Sequence, residues 1–102
     1  MTHFENKIYY QYIFNLKEIT IPKTITKIGD NAFSGCSSLE VINISAGVTG
    51  IGDYAFFGCS SLESIAIPAS VTQIGWTAFE GCSSLEEIEL PDSVTKIGQG
   101  AF

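Results

Sequence analysis

The chain of 102 residues carries 11 acidic against 5 basic side chains, a net charge of −6. That balance argues against nucleic acid and against an anionic membrane surface, both of which need clustered Lys and Arg to displace counterions. A chain this short ordinarily closes too small a core to surround a deep active site, and no apolar run reaches membrane-spanning length.

The acidic character is unevenly placed. Residues 1–51 balance Lys7, Lys17, Lys23 and Lys27 against Glu5, Glu18, Asp30 and Glu40, whereas residues 52–102 set seven acids against Lys96 alone. An acidic second half either favours a basic partner or aids solubility.

The first 15 residues are rich in aromatics: Phe4, Tyr9, Tyr10, Tyr12 and Phe14. They read as an N-terminal cap whose rings cover the open apolar end of the first coil formed by the rest of the chain. The alternative is a degenerate repeat in which Tyr9 and Tyr10 stand where later copies have Ala-Phe. The segment lacks a basic stretch followed by an apolar core, so it does not read as a signal peptide. The chain is then either cytosolic or a piece of a longer exported protein.

From Leu16 onward a unit of 23 residues recurs without insertions, over 16–38, 39–61, 62–84 and, incomplete, 85–102. A fixed register of this length predicts a solenoid, each repeat forming one coil stacked on the next. Each unit opens with L-x-x-I-x-I: Leu16, Ile19, Ile21; Leu39, Ile42, Ile44; Leu62, Ile65, Ile67; and Leu85, Ile88, Leu90. Apolar positions two apart, rich in β-branched residues, predict a strand with one buried face, and like strands in successive coils should pair in parallel. Proline closes the strand at Pro22, Pro68 and Pro91, but the second copy has Ser45-Ala46-Gly47, so its corner should differ.

A second short parallel ladder is expected next, with Ile25, Val48, Val71 and Val94, then Ile28, Ile51, Ile74 and Ile97, turned inward. Gly29, Gly52, Gly75 and Gly98 come after it, at positions that need either positive φ or close approach of neighbouring coils. The third part, x-x-A-F-x-G-C-S-S, is too short for an independent helix. It fits a single helical or 3₁₀ turn, started by Asp30 or Asp53 as an N-cap and stopped by Gly35, Gly58 and Gly81. Phe33, Phe56, Phe79 and Phe102 should stack into an aromatic spine. Cys36, Cys59 and Cys82, evenly spaced and without a Cys-x-x-Cys pair, do not make a metal pattern and predict a ladder of small buried thiols, with a reactive or disulfide-bonded thiol the minor alternative.

The string Ile67 to Ile88, IPASVTQIGWTAFEGCSSLEEI, resembles the BspA-type leucine-rich repeat family, and the resemblance covers residues 16–102. It implies a right-handed leucine-rich-repeat solenoid of parallel β-ladders and short turns, in four coils with the last incomplete. It also implies surface or secreted proteins that adhere to host matrix proteins or to other cells. The commoner leucine-rich pattern places Asn or Cys just after the strand. Here Thr24, Gly47, Ser70 and Ser93 stand there, so no asparagine ladder is expected.

Catalytic chemistry finds little support. The one histidine, His3, lies in the divergent N-terminal segment, and the serines and cysteines are repeated scaffold positions. Glu40, Glu63 and Glu86 share a repeat position and should align about 5 Å apart, which either invites a cation or leaves three carboxylates splayed into water. No EF-hand calcium loop, phosphate-binding loop or dinucleotide fingerprint is present, and no cofactor is implied.

What remains is surface. The outward residues of the first strand should be Glu18 and Thr20, Val41 and Asn43, Ser64 and Ala66, and Glu87 and Glu89, varied where the frame is repeated. These eight are the candidate face for a protein partner on a concave sheet, against plain solvent exposure. Tyr54, Phe57 and Trp76 fall outside the apolar positions and read either as interface anchors or as turn packing. The alternative to a binding module is a structural spacer, or a unit that self-associates through an uncapped C-terminal coil ending at Phe102.

Overall fold

The computed structural model describes residues 16–102. The N-terminal cap, with His3 and its five aromatics, lies outside the described residues. Among the described residues, seven short strands follow one another: β1 (Glu18–Thr20), β2 (Lys27–Ile28), β3 (Val41–Asn43), β4 (Gly50–Ile51), β5 (Ser64–Ala66), β6 (Gln73–Ile74) and β7 (Lys96–Ile97). They form two parallel sheets, ordered β1-β3-β5 and β2-β4-β6-β7. Register advances by one repeat per coil, Ile19 beside Ile42 beside Ile65 in the first sheet and Ile28, Ile51, Ile74 and Ile97 in the second. This is the expected β-solenoid.

The fourth L-x-x-I-x-I copy departs from the expected strand: Leu85 to Leu90 has no strand assignment. Glu86, Glu87 and Glu89 share this short segment.

Between the two ladders the core is a set of columns. Leu39, Leu62, Ile28, Val48, Val71 and the alanines Ala32, Ala55 and Ala78 are fully buried. Phe33, Phe56, Phe79 and Phe102 stack nearly parallel, with ring centroids 5.3, 5.2 and 5.3 Å apart. The spine is therefore continuous through all four coils.

No helix forms in the third part of the repeat. Successive i to i+3 bonds, from the amides of Ala32, Ser34 and Cys36 to the carbonyls of Gly29, Asn31 and Phe33, make a string of turns. The intervening amides of Asn31, Phe33 and Gly35 donate instead to Asp53, Ala55 and Phe57 of the next coil, at 2.8–2.9 Å. Alternate amides thus serve the turn and the stack, which a helix would not permit. Asp30 and Asp53 do not cap their own turns either. Asp30 Oδ1 accepts the amide of Asp53 at 2.9 Å, and Asp53 Oδ1 accepts that of Trp76 at 2.8 Å, so each carboxylate ties its coil to the one above.

Of the two roles open to the second set of glycines, close approach is the one observed at Gly52, Gly75 and Gly98. Gly29, Gly52, Gly75 and Gly98 all lack positive φ. The left-handed positions are instead Gly35, Gly58 and Gly81, which close the turns, and the column Asn31, Tyr54, Thr77 and Gly100. Thr77, at φ 50°, is β-branched in a region that such residues avoid, and its buried hydroxyl has no hydrogen-bond partner.

Two hydroxyl devices add to the frame. Thr49, Thr72 and Thr95 each donate a side-chain bond to the carbonyl of the threonine one coil below. At the corner without proline, Ser45 Oγ donates to the carbonyl of Pro22 at 3.1 Å.

All three cysteines are buried and none forms a disulfide. Cys59 and Cys82 donate to the carbonyls of Phe33 and Phe56, both at 3.2 Å. Burial pushes the Cys82 thiol up to about 11 and the Cys59 thiol higher still, with the neighbouring cysteines adding to the latter. Both therefore stay protonated in the folded state well above their ordinary value of 9.0. An acid whose folded pKa is raised favours the unfolded state once the unfolded thiol ionises. Stability should then be flat through neutral pH and fall as pH rises past about 9, and urea midpoints measured across pH 7–11 check this. Cys59→Ser/Cys82→Ser, which removes both thiols, should flatten the decline.

Candidate functional site

The first sheet sets six of the eight candidate residues in two rows. Glu18, Val41 and Ser64 form one and Thr20, Asn43 and Ala66 the other, each row running across β1, β3 and β5. They reach the surface because the intervening Ile19, Ile42 and Ile65 turn toward the core, the alternation a strand imposes. All six are exposed except Val41, which is half-buried.

Asn43 organises the polar end of this face. Its side-chain amide donates to Glu18 Oε2 at 3.2 Å and to Thr20 Oγ1 at 3.3 Å. Neighbouring coils are thereby cross-linked, and three side chains are held in one arrangement before any partner arrives. Val41, Ser64 and Ala66 continue the strip as small, nearly flat surface.

Glu87 and Glu89 belong to the same rows by sequence, but they lie on the unpaired segment after β5. The structure still brings them beside the strip: with Ala66, Ile67 and Asp92 they line a shallow hollow of about 660 Å³. The face thus passes from a hydrogen-bonded polar corner to an acidic edge. A second hollow beside it is lined by Glu63, Ser83, Ser84, Glu86 and Glu87.

The Glu40, Glu63, Glu86 column does not make a cation site. Among the described residues no group of three or more His, Cys, Asp or Glu side chains is placed to hold a metal ion.

Of the aromatics outside the repeat pattern, Tyr54 and Phe57 make an edge-to-face pair at 5.6 Å and are 41% and 38% exposed. Trp76 is 62% exposed, yet one edge of its indole sits against Gly98 of the next coil. The structural parts that sequence reasoning leaves unassigned are the threonine ladder and the inter-coil aspartates. The recurrence of Thr26, Thr49, Thr72 and Thr95 directly after Ile25, Val48, Val71 and Val94 is the signal that could have found the first.

The same repeats and the same solenoid occur in known proteins. The sequence matches the BspA type leucine rich repeat region over residues 2–102, in six copies. The chain belongs to the BspA-type leucine-rich repeat family. This BspA-type solenoid is similar to the leucine-rich repeat protein TpLRR of T. pallidum, with a TM-score of 0.89 and 38% identity over 94% of this chain and 44% of that one. It is also similar to a leucine-rich repeat protein of Bacteroides ovatus, with a TM-score of 0.82 and 43% identity over 93% of this chain and 25% of that one. The BspA-type chain thus spans less than half the length of either structure. No curated protein matches it significantly. Repeat proteins of this family commonly serve protein interaction, and among the described residues no helix is long and apolar enough to cross a membrane.

Proposed function

We infer that the chain is a non-enzymatic protein-binding module that reads its partner through the outward rows of the first sheet. The observation that carries this reading is the contrast between a repeated inward frame and outward residues that change from coil to coil. Glu18, Val41 and Ser64 share one register position and Thr20, Asn43 and Ala66 the next, yet no two in a row are alike. A solenoid needs its inward residues to be alike; it places no such demand on the outward ones, so their identity is free to serve recognition.

Charge indicates the kind of partner. The acidic edge at Glu87, Glu89 and Asp92 favours a basic protein surface, steering encounter in a salt-dependent way. The small strip over Val41, Ser64 and Ala66 admits a flat element without steric conflict. A secreted or cell-surface setting, with adhesion to matrix proteins or to other cells, is the role we attach to this face, on the strength of the family.

The test is a surface-binding screen against immobilised matrix proteins and cell lysates, comparing wild type with Glu87→Lys/Glu89→Lys and with Val41→Glu. Both variants change exposed or half-buried residues and should keep the wild-type melting temperature. Captured partners should be lost from the first variant and weakened tenfold or more in the second, about 1.4 kcal/mol. An unchanged set of partners in both would remove the face.

A further inference from the structure

A second surface feature lies away from the strand rows, over the second ladder. A groove of about 650 Å³ runs across β2, β4, β6 and β7. Lys27, Gln73 and Lys96 line it from the strands, and Asp30, Asp53 and Trp76 from the residues just after them. We propose that this groove binds a neutral, hydroxyl-rich polysaccharide, with the indole of Trp76 as the platform on which one sugar ring stacks.

The groove's chemistry selects this class of ligand. Its charged lining residues are two lysines and two aspartates, which cancel, although the chain as a whole carries −6. A groove of balanced charge gives no net attraction to a nucleic acid or to a strongly charged peptide. Nor is it an apolar slot for a hydrophobic side chain: Ile51 and Ile74 turn inward and are 2% exposed, leaving Ile97 of the last strand as its exposed aliphatic.

What the lining offers is one aromatic plate surrounded by hydrogen-bonding groups. Trp76 is held in place without being buried. A Cβ on Gly98 would come within 2.5 Å of Trp76 Cδ1, so the indole lies over that glycine and is anchored by one edge, while its amide is fixed by Asp53 Oδ1. The electron-rich face of an indole attracts the partially positive C–H groups on the apolar face of a pyranose ring. Hydroxyl groups around that ring need both donors and acceptors at close range. Lys96 donates, and Gln73, whose amide lies over Gly50, does both. Asp30 and Asp53 each use Oδ1 on the coil above and keep the second carboxylate oxygen for a ligand.

The length of the groove argues for a chain of sugars over a single one. Its lining residues come from all four coils, at strand separations of about 4.8 Å, close to the length of one pyranose ring. The site is on a different sheet from the proposed protein-binding rows, so either can fail alone.

Trp76 is the chain's one tryptophan, which makes its emission a direct reporter of the site. The 102-residue chain should be titrated with cellohexaose, laminarihexaose and maltohexaose to several millimolar, following emission and acrylamide quenching. At least one sugar should shift the emission to the blue and protect the indole. In affinity electrophoresis through gels containing the matching soluble polysaccharide, Trp76→Ala should weaken retardation tenfold or more. Trp76→Phe should retain part of it, and Glu87→Lys/Glu89→Lys should match wild type. Because Trp76 is exposed, these variants should melt like wild type. The proposal is overturned if no sugar perturbs the emission, if Trp76→Ala is retarded as strongly as wild type, or if gelatin peptides shift the emission while the sugars do not.

Discussion

Replacing Phe56 by alanine should remove about 3–5 kcal/mol of stability, a large part of the 5–15 kcal/mol typical of a small domain. Phe56 is fully buried and stacks on Phe33 below and Phe79 above, at 5.3 and 5.2 Å. In a solenoid each coil is held chiefly by its two neighbours, so a hole at this ring weakens both interfaces at once. The cavity cannot collapse readily, because the backbone on either side is tied into the ladder of turn amides and carbonyls. The amide of Phe33 donates to Ala55 and that of Phe56 to Ala78, both at 2.8 Å. Phe102, 55% exposed at the end of the spine, provides the contrast. Urea unfolding of Phe56→Ala and Phe102→Ala should show the first with a far lower midpoint and the second within about 1 kcal/mol of wild type. Equal losses would mean that the stack does not carry the core.

The second large effect is expected at a glycine. In Gly52→Ala the new Cβ would meet Asp30 Oδ1 at 2.5 Å, the Asp30 amide nitrogen at 2.7 Å and the Gly29 carbonyl carbon at 2.8 Å. Two of these three atoms are backbone, so the clash is relieved only by moving the coils apart. That movement lengthens the bond from the Gly52 amide to the Ile28 carbonyl, 2.8 Å, and the one from the Asp53 amide to Asp30 Oδ1, 2.9 Å. A loss of about 3 kcal/mol, the upper end of ordinary overpacking, is the expected result. Gly50→Ala, two residues away, should be close to neutral or stabilising by about 0.5 kcal/mol, since its Cβ finds its nearest neighbour at 3.6 Å and its φ is not positive. Thermal melts of the two single variants decide the matter. Similar melting temperatures would show that coil-to-coil approach at Gly52 is not a constraint.

Both predictions concern columns, and columns are what a repeated sequence makes legible. The spacing of Phe33, Phe56 and Phe79 and the alternation in V-I-N and S-I-A are enough to place the aromatic spine, two parallel ladders and the outward rows. Three features are not legible. A fourth strand is expected at Leu85 to Leu90 because its apolar pattern is intact, yet the segment does not join the first sheet, which an apolar pattern cannot reveal. Asp30 and Asp53 look like N-caps because a helical turn is the local structure in which Asp most often serves an amide; the amide they serve belongs to the next coil. The column of Glu40, Glu63 and Glu86 is aligned by repeat position alone, and it is not among side-chain groups placed to hold a metal ion in the described residues.

The outward rows can be named from sequence, but their character comes from contacts. That Asn43 links Glu18 and Thr20 depends on side-chain reach across two strands, which register allows without requiring it. The groove at Trp76 is further from view. An isolated tryptophan in a turn position is compatible with packing downward or standing outward, and the choice rests on whether Gly98 leaves room above it.

Sequence alone therefore determined the period, the inward frame and the parallel stacking, because identical side chains at a constant interval can satisfy their burial only by lying over one another. Only the tertiary structure decided which amides bond upward, where the last ladder stops and what the outer surface presents. Those outcomes depend on distances between residues one coil apart, about 23 positions along the chain, where neither propensity nor periodicity constrains how side chains meet.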